Sequence, residues 1–173
     1  MDPFDRYYRR SLREVLVTQG VLSNEQADEL IDASRETNDP LGMVVVEAGY
    51  LTAWDLLKTV ATQYQMPVLP LQGFRYDAAL AGDLPPSLMH QHQLLPVGRF
   101  GRTWSFAVME PPTRGVVEDL RAACGDSLFF FVADAQELSR LLRENIKVMD
   151  VAADSGWQAL FDAADQNVKK PTS

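Results

Sequence analysis

The side chains that could do acid, base, metal or nucleophilic chemistry are few in this sequence. His90 and His92 are its only histidines, and Cys124 is its only cysteine. No third metal ligand stands at a motif spacing from the histidines, and we interpret them as surface residues that close a helix. Cys124, at a predicted helix end, is interpreted as a half-buried structural thiol. The phosphate-binding pattern G-x-x-x-x-G-K-[ST] is absent from the sequence. We therefore predict no catalytic residue, no metal site and a chain that is not an enzyme.

The one basic cluster of the chain lies near its N-terminus. It comprises Arg6, Arg9, Arg10 and Arg13. With 24 Asp and Glu against 16 Lys and Arg, the net charge is −8, which argues against general affinity for nucleic acids. On a continuous helix the four arginines would share one face. Two interpretations stay open: a solvated face paired with Asp5 and Glu14, or a docking surface for an acidic partner or a nucleotide phosphate.

A degenerate duplication organises the first 65 residues. The segment LREVLVTQGVLSNEQADELI, which starts at position 12, returns from position 41 as LGMVVVEAGYLTAWDLLKTV. In each copy a glycine, Gly20 or Gly49, stands where a helix ends. A hydroxyl residue, Ser23 or Thr52, then caps the next helix. Each copy therefore predicts a helix-turn-helix hairpin, and the two hairpins must pack together to bury their apolar stripes.

The second half of the sequence has the pattern β-β-α-β-α. Pro and Gly residues between positions 66 and 86 predict a linker with a short strand near Val68–Leu69. Apolar runs predict strands at 94–97, 104–108 and 128–132, separated by helices that Thr113 and Asp134 cap. The predicted fold class is α+β, in which the two repeated hairpins precede a small mixed sheet with flanking helices.

Large aromatic side chains are assigned to the interior. Trp54 and Trp104 are predicted to be core or interlayer residues. The run Phe129–Phe131 must place at least one ring on each side of its strand, and we expect helices to cover both sides.

We divide the chain into a helical repeat subdomain (1–65), the linker (66–86), an α+β subdomain (87–148) and an acidic tail (149–173). In the tail, Trp157, Leu160 and Phe161 follow the i, i+3, i+4 spacing typical of a short amphipathic helix. Two roles stay open: docking onto the chain's own core, or a helix-in-groove contact in which Trp157 and Phe161 bind a partner.

Composition indicates a folded cytoplasmic chain. Hydrophobic residues make up 46% of it, which is ordinary for a globular protein. No apolar run approaches the ~18 to 20 residues that a membrane span needs, and the start MDPFDRYYRR lacks the apolar stretch of a secretory signal. A single cysteine fits a reducing compartment. We expect no direct insertion into a membrane.

The order of these pieces resembles the N-terminal domain of type II secretion and type IV pilus assembly ATPases. The resemblance rests on the doubled pattern L-G-x-x-L-V-x-x-G-x-L-(S/T), on QYQMPVLPL (63–71) and on LLPVGRFGRTWSFAVMEP (94–111), and it covers most of residues 10–147. It implies a bacterial docking or regulatory module that binds a protein of the secretion or pilus machinery. Such a partner would recruit it to the inner membrane, and the ATPase motor would be supplied separately.

A subset of these domains, called MshEN, is similar to this region and binds cyclic di-GMP through the doubled motif R-L-G-x-x-L-V-x-x-G…Q. Here Ser11 and Pro40 replace the two arginines of that motif, Arg13 replaces the first glycine, and Ser34 replaces the first glutamine. The resemblance therefore implies a docking module without a cofactor, with a degenerate cyclic di-GMP receptor as the alternative. In that alternative the contacts would come from Arg10, Leu12, Arg13, Gly20, Leu41, Gly42, Gly49 and Gln63. The oligomeric state stays open.

Overall fold

The computed structural model describes residues 1–82 and 84–147. In these ranges the helices are α1 (Asp5–Tyr8), α2 (Leu12–Thr18), α3 (Asn24–Thr37), α4 (Leu41–Glu47), α5 (Ala53–Tyr64), α6 (Pro86–His92), α7 (Arg114–Cys124) and α8 (Ala135–Asn145). The strands are β1 (Leu95–Phe100), β2 (Thr103–Val108) and β3 (Leu128–Val132), and a 3-10 turn spans Ala78–Ala81. The predicted α+β class is confirmed.

The duplicated segment forms the two predicted hairpins, α2–α3 and α4–α5. Gly20 and Gly49 have φ of +73° and +81°, a left-handed conformation that glycine adopts without the steric cost other residues incur. The Ser23 hydroxyl accepts a hydrogen bond from the Gln26 N–H, and the side-chain oxygen of Gln26 accepts one from the Ser23 N–H. Thr52 caps α5 through the backbone N–H three residues on. Cap chemistry that is written locally in the sequence therefore sets both turns.

The three strands form one sheet in the order β1-β2-β3. β1 and β2 are antiparallel, whereas β2 and β3 are parallel and are connected through α7. Thr113 and Asp134 cap α7 and α8 as predicted. The short strand expected near Val68–Leu69 is a parallel bridge between Val68 and Val132. The chain leaving α5 is thereby fixed to the edge of the sheet.

One hydrophobic cluster joins the helical half to the sheet half. The N-terminal arm contributes directly, because the ring of Phe4 lies 5.4 Å from that of Phe130 in an edge-to-face arrangement. Tyr7 also packs edge-on against Phe130. The ring of Phe106 stacks on that of Phe130, with 6.0 Å between the ring centroids. Contacts between α5 and both α8 and β3 complete the connection. The repeat and the sheet are therefore held by a common core.

Two aromatic placements differ from the prediction. Trp104 is buried as expected, but Trp54 is 61% exposed, because the buried side of α5 carries Ala53, Leu56 and Leu57 and Trp54 points away from it. Phe130 is buried, whereas Phe129, on the opposite side of β3, is 42% exposed. The expectation that helices cover both sides of β3 is therefore wrong at Phe129.

No helix in residues 1–82 or 84–147 is long and apolar enough to cross a membrane. The tail from 149 to 173, with Trp157 and Phe161, lies outside the described residues.

Replacing Gly42 tests how tightly α4 packs. A Cβ at this position would lie 3.0 Å from Leu56 Cδ2 and 3.1 Å from Glu110 Oε2. We expect Gly42→Ala to lower the free energy of unfolding by about 1 to 2 kcal/mol, even though alanine is the better helix former. Gly115→Ala in α7 is the matched control, since nothing lies within 4 Å of its Cβ position, and it should raise stability by about 0.5 to 1 kcal/mol. Urea denaturation measures both, and equal stability of the two variants would contradict the packing argument.

Candidate functional site

A cleft of ≈ 420 Å³ opens where the starts of α2 and α4 meet the segment that leads from β2 into α7. Its walls are apolar and aromatic, three arginines stand at it, and one carboxylate lies among them. We call it the basic cleft; its lining includes Tyr7, Tyr8, Arg10, Leu12, Arg13, Ile31, Leu41, Glu110, Pro111, Pro112 and Arg114.

The clustered arginines do not lie on one helix face, which corrects the prediction. α1 ends at Tyr8, and α2 begins at Leu12 behind its cap, Ser11. The Ser11 hydroxyl accepts from the Glu14 N–H, and the Glu14 carboxylate accepts from the Ser11 N–H at 2.8 Å. This S-x-x-E capping box starts a new helix and breaks the arginine run in two. It also occupies Glu14, which was expected to pair with an arginine.

The arginines have different surroundings. Arg13 forms a 2.6 Å ion pair with Asp28 of α3, and Arg6 donates to the hydroxyl of its neighbour Tyr7. No side-chain hydrogen bond or ion pair joins Arg9 or Arg10 to another described residue. Both project from the connection between α1 and α2, so their charges remain available to a partner.

Arg10 lies between two concave surfaces. Besides the basic cleft, it lines a neighbouring depression of ≈ 230 Å³ together with Arg6, Arg9 and Gln63. The backbone carbonyl of Arg10 is held in place by the buried Tyr64, whose hydroxyl donates to it at 3.0 Å. The connection that carries Arg9 and Arg10 is therefore anchored even though their side chains are not.

Arg114 completes the basic side from the first turn of α7. Its guanidinium lies over the Tyr8 ring at 4.6 Å, a cation–π contact. It is also 3.9 Å from Asp5. Asp5 was expected to pair within the arginine cluster, but its partner comes from the far half of the chain.

Glu110 places a carboxylate between the hairpins and the sheet. Its Oε2 accepts a hydrogen bond from the Gly42 N–H at 2.8 Å, and the Leu41 N–H also bonds to it. No cation among the described residues forms an ion pair with it. Loss of hydration raises the pKa of Glu110 to about 7, and the two backbone N–H groups offset part of that rise.

The need for Glu110 follows from the start of α4. The N-cap of α4 is Pro40, which has no side chain able to accept from the first N–H groups. In α2 the corresponding position is Ser11, which caps the helix locally. The carboxylate of Glu110 supplies from 68 positions away what Ser11 supplies from within its own repeat. We did not predict this role, because a glutamate between a strand and two prolines carries no local signal of it.

The fold brings only some of the residues that were considered as cyclic di-GMP contacts together in one cleft. Arg10, Leu12, Arg13 and Leu41 line the basic cleft. Gln63 lies in the neighbouring depression, and Gly42 is accounted for by its close packing against Leu56.

Gly20 and Gly49 form the turns at the other ends of α2 and α4. Helices of seven residues are ~10 Å long, so both glycines are remote from the cleft.

The histidines and the cysteine have structural surroundings. His90 and His92 lie in the last turn of α6, as predicted, but both are partly buried. His90 Nε2 bonds to the carbonyl of Ile146, and burial lowers the pKa of His92. Cys124 is half-buried at the end of α7. Among the described residues, no three His, Cys, Asp or Glu side chains are grouped as a metal site requires.

The sequence and the fold of this chain are similar to those of known proteins. The sequence model of the MshEN domain family matches residues 64–150. The chain belongs to the MshEN domain family. The matched range begins at the end of α5, so the duplicated hairpins precede it.

Individual relatives agree with the family. The type IV pilus assembly ATPase PilB of Myxococcus xanthus is 24% identical over 122 residues, which is 70% of this chain and 22% of PilB. The chain thus spans about a fifth of the length of that relative. The structure of MshE with cyclic di-GMP is 26% identical with a TM-score of 0.55, covering 79% of this chain and 99% of that one. The N-terminal domain of XpsE has the same fold at 18% identity and a TM-score of 0.54, covering 80% and 99%.

The position of Glu110 predicts a pH dependence of stability. Its pKa is about 7 in the fold against 4.5 for an ordinary glutamate, so between these values the folded chain holds a proton that the unfolded chain has lost. The free energy of unfolding should therefore fall by up to about 3 kcal/mol as pH rises through this window.

Two variants check the assignment. Glu110→Gln keeps an acceptor for the Gly42 N–H but cannot ionise, so it should abolish that slope in denaturation curves at pH 5, 6, 7 and 8. Glu118→Gln, an exposed substitution on α7, is the control and should keep the slope. A slope that survives in Glu110→Gln would assign it to another group.

Proposed function

We propose that this chain is a docking and regulatory module of a bacterial type II secretion or type IV pilus machine. Its basic cleft and the adjoining surface of Arg6, Arg9 and Arg10 bind an acidic protein partner. Membership of the MshEN family and the similarity to PilB and to the XpsE N-terminal domain support this setting. The partner brings the module to the cytoplasmic side of the inner membrane, and ATP hydrolysis is assigned to a motor outside the described residues.

The charge distribution carries the proposal. On a chain with net charge −8, Arg9 and Arg10 hold positive charge without an ion pair to any described residue, at the edge of two concave surfaces. Such a local field of opposite sign accelerates encounter with an acidic partner and selects its orientation. The apolar walls of the cleft add contact area that loses water on binding.

Charge reversal tests the docking surface. Arg9→Glu plus Arg10→Glu should weaken capture of the partner from native lysate by at least about tenfold, because two attractive contacts become repulsive. Arg102→Glu plus Arg143→Glu makes the same change in charge on other surfaces and should leave capture unaffected. If the cleft variant captures the partner as well as the control does, docking occurs elsewhere.

A cyclic di-GMP receptor is the second candidate function. The observation that favours it is the similarity to MshE, a protein solved with cyclic di-GMP, together with the convergence of Arg10, Leu12, Arg13 and Leu41 on one cleft. Against it, the N–H groups of Ser11 and Glu14 at the start of α2 are engaged by the capping box. Those of Leu41 and Gly42 at the start of α4 are engaged by Glu110. A phosphate would have to displace these internal acceptors.

Calorimetry separates the two candidates. A receptor gives saturable heat when cyclic di-GMP is titrated into about 50 µM protein, with a dissociation constant in the micromolar range. Arg13→Ala would then weaken that affinity by about tenfold through loss of one charge-assisted contact. Absence of heat at this concentration retires the receptor function and leaves the docking function standing.

A further inference from the structure

The tip of the β1–β2 hairpin presents an exposed aromatic ring between two basic residues. Phe100 is 92% exposed, and Arg99 and Arg102 on either side of it are exposed as well. A two-residue loop, the tightest of the common hairpin connections, pairs Phe100 with Thr103. We call residues 99–102 the hairpin tip. It is a preformed protrusion that is both apolar and positively charged.

The positive charge of the hairpin tip is not neutralised within the described residues. Neither Arg99 nor Arg102 forms an ion pair there. The guanidinium of Arg99 lies over the Trp104 ring at 5.1 Å, and its Nε donates to the Gly101 carbonyl at 3.3 Å. These contacts hold the side chain beside the tip but leave its charge unmatched, on a chain whose net charge is −8.

A groove of the opposite character lies between the α4–α5 turn and the start of α8. Its volume is ≈ 560 Å³. Trp54 and Tyr50, which are 61% and 38% exposed, give it aromatic walls, and Asp55 and Asp134 add carboxylates. Of the described residues that line it, none is lysine or arginine. We call it the aromatic groove, and it fits a ligand that brings an apolar side chain together with cations.

The aromatic groove already attracts one cation. Lys58 holds its ammonium 6.0 Å from the centre of the Trp54 ring and 3.0 Å from Asp55. Both partners of this ion pair are about half exposed, so it contributes little to stability. A guanidinium can replace the ammonium there, because it stacks on an aromatic face and binds a carboxylate through two N–H groups.

The second carboxylate of the groove keeps an oxygen for a ligand. Both hydrogen bonds with which Asp134 caps α8 are accepted by its Oδ1, from the N–H groups of Gln136 and Glu137. Its Oδ2 is therefore left to meet a cation that enters the groove.

The hairpin tip cannot reach the groove of its own chain. β2 and β3 run parallel and in register, so both begin at the end of the sheet that carries the tip. Asp134 follows the far end of β3. Strands of five or six residues span ~16 to 20 Å, so tip and groove lie at opposite ends of the sheet. A tip that fills the groove must come from a second molecule.

We propose that the hairpin tip of one chain inserts into the aromatic groove of a second copy, so that the modules associate head to tail. Phe100 packs on the rings of Trp54 and Tyr50, and the two guanidinium groups meet the carboxylates of Asp55 and Asp134. The ring loses water on the apolar walls while each charge gains a partner of opposite sign.

The contact joins two different surfaces, so each pair of copies retains one free tip and one free groove. Association therefore continues beyond the dimer. With a single aromatic anchor the interface belongs to the small, transient class, and we expect a dissociation constant on the order of 0.1 mM. A head-to-tail assembly would present several basic clefts to one partner and raise the avidity of docking. That consequence, unlike the contact itself, rests on the proposed docking function.

Sedimentation of the full chain tests the association. At about 0.2 mM the wild type should be mostly associated and should exceed the mass of a dimer. Phe100→Ser and Trp54→Ala each remove an exposed ring without touching the core, and each should weaken association at least tenfold and leave mostly monomer. Wild-type chain that stays monomeric up to about 1 mM would overturn the proposal.

Charge variants test the polar part of the contact. Arg99→Glu plus Arg102→Glu should weaken association at least tenfold, since the tip would then repel the two aspartates. Arg35→Glu plus Arg143→Glu makes the same change in charge on exposed parts of α3 and α8 and should leave association unchanged. Equal association of the two double variants would contradict the assigned charges.

Mixing the two ring variants decides whether the contact is head to tail. Phe100→Ser retains an intact groove and Trp54→Ala an intact tip, so one good contact is possible between them. At about 0.2 mM of each, about half of the molecules should pair, and nothing larger than a dimer should form. A symmetric contact, tip to tip or groove to groove, would not be restored by mixing, and absence of the mixed dimer overturns the proposal.

NMR with one labelled partner locates the contact. In labelled Trp54→Ala, added unlabelled Phe100→Ser should shift the amide signals of Gly101 and Arg102 and not those of Gly49 and Tyr50. With the labels exchanged, the groove signals should shift and the tip signals should not. Shifts on any other surface in both experiments would assign the association elsewhere and overturn the proposal.

The two proposals fail separately. If mixing restores the dimer but Arg9→Glu plus Arg10→Glu leaves partner capture intact, the head-to-tail contact stands and the docking function is wrong. If capture is lost in that variant but mixing restores nothing, docking stands and the head-to-tail contact is wrong. Capture is measured far below about 0.1 mM, where every copy is a monomer, so the control that contains Arg102→Glu remains valid there.

Discussion

The contact between the Glu110 carboxylate and the first N–H groups of α4 is the interaction on which the rest of the architecture depends. Helix starts leave backbone donors that must be satisfied, and Pro40 cannot satisfy them locally. Because the acceptor comes from the end of β2, the second repeat is fixed to the sheet at 2.8 Å. Gly42 has to be a glycine for this approach, since a Cβ would touch both Glu110 and Leu56. Loss of hydration in this position raises the pKa of Glu110 to about 7. The stability of the fold therefore depends on pH near neutrality.

The same junction forms the basic cleft. The segment from Glu110 to Arg114 runs beside the starts of α2 and α4, so its prolines become apolar walls and Arg114 becomes a cation at the rim. The N-terminal arm closes the other side, because Phe4 and Tyr7 belong to the core and hold the connection with Arg9 and Arg10 in place. The fold of the MshEN family is thus combined with a site in which the side chains of Glu14 and Glu110 accept hydrogen bonds from backbone N–H groups at the two helix starts.

Much of the fold could be predicted because it depends on local chemistry. The glycine stops, the Ser23 and Thr52 caps and the apolar runs of the strands are each decided within a few residues. β3 formed where it was expected, whereas β1 begins one residue after the predicted start and extends to Phe100. The candidate site was harder to predict. The arginines were identified, but the prediction that they share one helix was wrong, because Ser11 and Glu14 form a capping box that starts a new helix. Trp54 was assigned to the core from its size alone, although its phase on α5 turns it to solvent.

By itself, the sequence determined the repeat, the order of helices and strands, the cluster of arginines and the likeness to the secretion and pilus family. Those features follow from short-range patterns of caps, turns and apolar spacing, whose energies are settled between near neighbours. Only the tertiary structure decided that Glu110 caps α4 and that Arg114 joins the cluster. It also decided that Arg13 is paired with Asp28 while Arg9 and Arg10 are not. These outcomes depend on which distant groups the common core brings within hydrogen-bonding distance, and no local pattern in the chain encodes that.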